Sequence, residues 1–387
     1  MQKLLKPEVQ QFIRTYSEDL SKLAFSGSPF KDIIVQELLQ QIESRRKAEK
    51  KLPTWFTSEA ILYPPKLNLE QTSSEATATY KASIVSGERI ADLTGGFGID
   101  SYFFATAFKT VAYYEVNKAL SEIAKHNFQL LNRKNISVAH ADGVEAIKNK
   151  KYDVIYLDPS RRNESKGKVF FLSDCEPNVP EYLNTFFESA PTLLIKTSPM
   201  LDIAVGLSEL QHVCQIHIVA LNNEVKEVVW LLKKNPSKPT LVKTINLKNN
   251  SEEKFEFPLG TISEAVYDKP SRFLYEPNAA ILKSGAFDQL SEAFKIRKLH
   301  KHSHLYTSDS LRDFPGRRFV IKNVVPYSKK EMKAALIFKK ANITTRNFPV
   351  DVSTLRKKWK LNDGGDRFLF FTTLEDEKKA MLICEKI

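Results

Sequence analysis

ADLTGGFGID, residues 91–100, is the stretch on which the fold turns. An apolar strand ends in Asp92, turns through Gly95, Gly96 and Gly98, and enters a helix after Asp100. Glycines suit such a turn for two reasons. A side chain would keep a ligand off the backbone, and a strand-to-helix reversal needs φ values that other residues resist.

Working outward, a second strand, Thr110 to Val116, carries Glu115 at its end, the position from which a carboxylate accepts hydrogen bonds from ribose hydroxyls. A third, Ile136 to His140, is followed by Asp142, and a fourth, in DVIYLDPSRR, ends in Asp158, Pro159, Ser160, Arg161 and Arg162. Acids therefore follow four successive strands, and an open parallel sheet places all of those ends on one edge, beside the crevice where ligands bind. This pattern resembles the class I S-adenosylmethionine-dependent methyltransferases. A nicotinamide dehydrogenase shares the glycine turn and the second-strand acid, but its spacing is G-x-G-x-x-G, whereas this chain has G-G-x-G.

The resemblance implies roles residue by residue. Gly95, Gly96 and Gly98 let S-adenosylmethionine approach, Asp92 orients it through the turn, Glu115 takes the ribose hydroxyls and Asp142 the adenine amino group, with a solvated surface acid as the alternative for Asp142. Asp158, Pro159, Ser160 and Arg161 face the methyl acceptor. The usual pattern there is Asp/Asn-Pro-Pro-Tyr/Phe, and here Ser160 and Arg161 replace the second proline and the ring. Asp158 keeps the acceptor role, and an arginine can stack on a base or clamp a phosphate; Arg161 and Arg162 in surface ion pairs is the plain alternative. In EQTSSEATATYKA, residues 70–82, Ser73, Ser74 and Thr77 either contact the methionine carboxylate or cap a helix over Glu75 to Lys81. Cys175 is the only thiol in the loop after the fourth strand, and inert thiols are commoner than nucleophilic ones.

Charge is divided unevenly. Residues 1–270 hold 34 Lys and Arg against 33 Asp and Glu, whereas residues 271–387 hold 24 against 13, so nearly all of the net +12 sits in the last third. Concentrated positive charge is the footprint of a polyanion, most often nucleic acid, and a solvated, solubilising surface is the alternative. Arg317, Arg318, Arg356, Lys357 and Lys358 are the candidate RNA contacts. His300, His302 and His304 alternate, which in a strand puts three imidazoles on one face; with no acid or cysteine beside them, a basic RNA-facing strand is expected in preference to a metal site.

No apolar run reaches the roughly 18 residues of a membrane span, and polar residues interrupt MQKLLKPEVQQFIRTYSEDL, so neither a span nor a secretory signal is expected. Cys175, Cys214 and Cys384 lack C-x-x-C spacing, which points to a reducing cytoplasm and away from zinc or a disulfide frame. At 387 residues the chain is long enough for two or three domains. Periodicity predicts a helical segment over 1–68, closed by Pro53, Pro64 and Pro65, and a Rossmann-like, seven-stranded α/β core over 69–235. A hairpin at Asn222-Asn223 joins the core's last two strands, and a β-rich connector follows over 236–270. LYEPNAAILKSGAFDQLSEAF reads as a helix and KLHKHSHLYTSD as a strand, and the short α and β units after residue 270 suggest two small α+β domains, 271–321 and 322–387. The blocks DLTGGFGID, LDPSRR, IKTSPMLDI, LYEPNAAILKSGAF, HLYTSD and RNF…LRKK…GGDRF sharpen the resemblance, to bacterial methyltransferase-like proteins that carry a ferredoxin-like and then a C-terminal THUMP-like domain. The resemblance implies an S-adenosylmethionine-dependent enzyme but names no substrate; the basic last third, with the THUMP-like module by analogy, makes the expected acceptor a base nitrogen of structured RNA, tRNA or rRNA, and the scattered cysteines make the expected place the cytoplasm. An RNA-binding protein with a catalytically weak fold, and an enzyme acting on protein or small molecule, are the competing readings.

Overall fold

The computed structural model describes residues 2–161, 171–249 and 251–387, with the backbone alone for Arg161. It divides into two compact units, Met1–Ile216 with Glu227–Lys238, and His217–Lys226 with Pro239–Ile387. Among the described residues no helix is long and apolar enough to cross a membrane.

The first unit opens with helices at Pro7–Thr15, Leu20–Ser26, Val35–Lys51, Pro53–Thr57 and Lys66–Gln71. Pro53 starts a helix instead of closing the segment, because a proline in the first turn forfeits no hydrogen bond and its φ is already helical. Val9, Leu38, Ile42 and Leu62 bury against one another, and Ala48 and Trp55 pack with Phe97, Tyr102 and Phe128 from beside the glycine turn. The helical segment thus shares a core with the sheet that follows it.

That sheet contains β1 Arg89–Asp92, β2 Thr110–Glu115, β3 Ile136–His140, β4 Val154–Leu157, β5 Thr192–Thr197, β6 Val213–Leu221 and β7 Glu224–Lys233. Their spatial order is 3-2-1-4-5-7-6, with β1 to β5 parallel and β7 antiparallel to β5. All four β4 residues are buried, as expected of a strand covered on both faces. Asn222 and Asn223, at φ 51° and 67°, make the two-residue turn between β6 and β7.

In the second unit the expected connector forms a hairpin, β8 Leu241–Leu247 with β9 Glu252–Pro258. A seven-stranded sheet follows: β10 Phe273–Pro277, β11 Arg297–Lys298, β12 Tyr306–Ser308, β13 Gly316–Pro326, β14 Asn342–Arg346, β15 Arg367–Thr373 and β16 Lys379–Lys386, in the order 11-12-10-13-16-15-14. The expected boundary at 321/322 falls inside β13. Residues 316–320 of that strand pair with β10 and residues 319–326 with β16, so one strand joins the two halves into a single sheet.

Candidate cofactor and acceptor site

Because β1, β2, β3 and β4 run parallel, Asp92, Glu115, Asp142 and Asp158 all stand at one edge of the first unit. The turn after β1 divides its glycines by task. A Cβ on Gly95 would lie 2.1 Å from the Tyr113 ring and one on Gly98 2.4 Å from Phe128, so these two are demanded by packing. Gly96, at φ +54°, would place a Cβ no nearer than 3.9 Å to any other atom. It is the open point of the turn, where a ligand can lie against the backbone. The buried Glu115 carboxylate braces that point, accepting the Gly96 N–H and the Asn117 N–H at 2.7 Å each. The Tyr113 hydroxyl donates to the Gly96 carbonyl at 2.6 Å. An open glycine beside a buried carboxylate fits the sulfonium cofactor that the fold implies.

Asp92 is buried, accepting from Thr94 N–H at 3.1 Å and from the Ser101 hydroxyl at 2.6 Å. Burial, with Asp100 close by, pushes its carboxyl up to about 7 against the pull of the Ser101 bond. Asp142 Oδ1 caps the short helix Gly143–Ala146 by accepting the Val144 and Glu145 N–H groups. Ser74 caps the helix Glu75–Ser83 by accepting the Thr77 N–H at 3.2 Å, and Thr77 is buried beside it.

Asp158 sits where β4 ends, its N–H held by the Thr94 hydroxyl at 2.6 Å and its Oδ2 paired with Lys196 at the end of β5. Pro159 is buried and Ser160 exposed, and residues 160–161 bridge antiparallel to Cys175–Glu176. The Arg161 side chain and Arg162 lie outside the described residues. Cys175 is buried, with no exposed thiol face.

Sequence reasoning passed over the ionic network behind this edge. Lys81, wholly buried, donates to both oxygens of Glu227 at 2.7 and 2.8 Å and to the Ser73 hydroxyl at 3.0 Å, and stands 3.2 Å from Asp100. Asp100 Oδ2 also accepts from Ser73 and Tyr156, at 2.8 Å each. Burial alone would raise the Asp100 carboxyl, but Lys81 and Lys196 hold it below its ordinary value, and burial raises Glu227 despite the same two lysines. Burial alone would lower Lys196, yet Asp158, Glu227 and Asp100 outweigh it and hold its ammonium well above the usual range. Two signals were legible: Lys196 interrupts the apolar run TLLIKT, and Glu227 precedes VVWLL.

In the second unit the candidate RNA contacts differ in freedom. Arg317 pairs with the buried Glu276, which also accepts from Arg346 at 2.9 Å. Arg318 stands 3.4 Å from Asp313, Arg356 pairs with Asp363, and Lys358 donates to the Tyr327 hydroxyl at 3.1 Å. Lys357 is exposed. The expected histidine strand is a turn between the short strands β11 and β12. His300 reaches Glu377 at 3.0 Å, while His304, at φ +52°, stacks on Phe287 with ring centres 3.6 Å apart. The His300 and His302 rings lie 5.6 Å apart, so it is His304 that leaves the expected common face. Among the described residues no group of three His, Cys, Asp or Glu could hold a metal ion.

A sheet in the order 3-2-1-4-5-7-6, with a glycine turn after β1 and acids at four strand ends, is the class I methyltransferase fold. The chain matches a solved structure of a candidate methyltransferase from Porphyromonas gingivalis W83 at 31% identity and TM-score 0.90, covering 100% of this chain and 98% of that one. Family models match a ferredoxin-like domain at residues 273–315 and a THUMP-like domain at 316–386. This chain accordingly belongs to the family of bacterial proteins that join a class I methyltransferase core to a ferredoxin-like and a C-terminal THUMP-like domain. Two further solved structures resemble it far more distantly. One is a candidate RNA methyltransferase from Pyrococcus horikoshii, with 15% identity and TM-score 0.34, covering 48% of this chain and 98% of that one. The other is the tRNA m1G37 methyltransferase of M. jannaschii, with 15% identity and TM-score 0.31, covering 43% and 51%. No curated protein matches the sequence.

Proposed function

We propose that the chain is an S-adenosylmethionine-dependent methyltransferase acting on a base nitrogen of structured RNA in the cytoplasm. The observation that carries the reading is the edge shared by the open Gly96, braced by Glu115, and the Asp158–Lys196 pair. S-adenosylmethionine supplies a methyl group already activated by its sulfonium, so the protein's task is alignment and exclusion of water. Glu115 accepts the ribose hydroxyls with the lone pairs that its backbone bonds leave free. Asp142 presents its second oxygen to the adenine amino group, and the buried Asp92 stiffens the turn through Thr94 and Ser101.

Asp158 accepts a hydrogen bond from the acceptor N–H through the oxygen that Lys196 leaves free, turning the nitrogen lone pair toward the methyl group. Lys196 holds that carboxylate in place. Arg161, Ser160 and Pro159 complete the acceptor side, and the basic face of the last third, with Arg318, Arg356, Lys357 and Lys358, takes the RNA backbone. The 24-to-13 excess of basic residues after 270, together with the THUMP-like domain, supports RNA over protein or a small molecule.

Nucleoside mass spectrometry of RNA from a deletion strain and its parent tests the substrate: one methylated nucleoside should vanish, and unchanged profiles would remove RNA as the acceptor. Calorimetry tests the cofactor. Glu115→Ala should weaken S-adenosylmethionine binding by about 1–3 kcal/mol through loss of charge-assisted hydrogen bonds.

A further inference from the structure

The second unit holds a cavity of about 500 Å³, a volume typical of small-ligand sites, at the β6–β7 turn and the start of β13. Five of its ten lining residues are asparagines and three are cations, so its chemistry is that of hydrogen-bond donors, with no apolar side chain. Two of the asparagines are fixed and buried, Asn246 at 1% and Asn278 at 2% exposure. Their oxygens are occupied: Asn246 Oδ1 accepts the Asn223 N–H at 2.8 Å, and Asn278 Oδ1 accepts the Ile281 N–H at 3.1 Å. Each amide nitrogen then donates one hydrogen to Glu253 Oε2, at 2.9 and 3.0 Å. The second hydrogen on each has no partner among the described residues.

Glu253 is engaged on both oxygens, since the other one carries Lys248. Asn223 spends its own oxygen on the Ala279 N–H at 2.8 Å and retains its amide hydrogens. Lys248, Arg317 and Lys386 against Glu253 leave the wall two charges positive. Behind Arg317, Glu276 is balanced by Arg346. Three amide oxygens held by backbone N–H groups, amide donors left over beside them and a net positive wall describe a receptor for an oxyanion.

We propose that this cavity binds the phosphate group of a phosphate ester. Its source is the RNA backbone if the RNA reading above holds, on which that part of the inference rests, and a free nucleotide is the other source. Two variants of the full chain keep the fold while changing the wall. Asn223→Asp retains the oxygen that caps Ala279 and exchanges donors for an acceptor, and Lys386→Glu reverses an exposed charge.

Three probes are titrated: a short single-stranded RNA, the same RNA with neutral methylphosphonate linkages, and adenosine monophosphate. The expected result is a loss of at least about 10-fold in RNA affinity for each variant, weak binding of the methylphosphonate RNA that neither variant alters, and unchanged melting temperatures and S-adenosylmethionine affinity. RNA and adenosine monophosphate binding the variants and the parent equally would overturn the proposal, as would failure of both to bind the parent. If the parent binds adenosine monophosphate alone and both variants lose it, the phosphate site stands with a free nucleotide as its source, and the RNA reading falls.

Discussion

Asp92 is uncharged over much of the acidic range in the folded chain and charged there in the unfolded one, because burial lifts its carboxyl from 3.8 to about 7. Below about pH 4 both states hold the proton. Between there and pH 7 only the folded state does, so the stability this proton provides drains away as pH rises through that window. Asp92→Asn removes the dependence. Relative to the parent, the variant should gain roughly 2–3 kcal/mol between pH 5 and pH 8 in urea unfolding; an equal difference at both pH values would show that Asp92 does not titrate there. Asp158 calls for a paired experiment. Asp158→Ala should lower methyl transfer by about 10²-fold or more and leave cofactor affinity within a few-fold. It also strips Lys196 of its hydrogen-bond partner, at a stability cost of roughly 1–3 kcal/mol for a pair that is part exposed. Adding Lys196→Met should restore stability without activity. Stability and activity recovering together would mean that Asp158 is structural.

Elements whose apolar pattern is local were legible. β2, β3 and β5 fall within a residue or so of where alternation and length placed them, and the Asn222-Asn223 turn was read directly. LYEPNAAILKSGAF has the composition of one helix but forms most of β10, whose residues are all buried, then a short helix capped by Asn278 and ended by Gly285 at φ +73°. An unbroken buried run has no period, so sequence cannot separate strand from helix there. The histidine segment failed for another reason: a left-handed His304 stacked on Phe287 is a tertiary contact that no alternation encodes. At the glycine turn the backbone decides which substitution can test the site. Valine at residue 96 would be strained at φ +54° whatever the ligand does, whereas asparagine tolerates that region. Gly96→Asn should therefore melt within about 1 kcal/mol of the parent and still lose S-adenosylmethionine affinity by at least 10-fold or so, since its side chain occupies the open space. Calorimetry showing full affinity would place the ligand elsewhere.

For the whole molecule the uneven charge was the clearest signal in the sequence, but it could not say which cations are committed to the fold. Arg317 is one of these. Arg317→Glu sets a second carboxylate against buried Glu276 and should cost about 3–5 kcal/mol in unfolding experiments. Lys357→Glu with Lys358→Glu should leave stability within about 1 kcal/mol. The same pair should flatten the salt dependence of RNA binding by about one unit of slope per charge. A mobility-shift series in which that slope stays constant would make the basic face a solubility feature. The pairings within the site's ionic network were illegible for a related reason: Lys81 and Glu227 are 146 residues apart, and only the closed sheet brings them together.

That separation also sets a schedule. On a ribosome Lys81, Ser73 and Asp100 emerge early, and the carboxylate that satisfies the lysine arrives about 7–30 s later at ordinary elongation rates. Until Glu227 is made, a lysine destined for complete burial has an aspartate and a serine but lacks its bidentate partner, and it is cheaper to leave it in water. The helix Glu75–Ser83 should therefore dock last among the early elements, and stalled chains ending before Glu227 should be cut by protease near Lys81, where full-length chains are not.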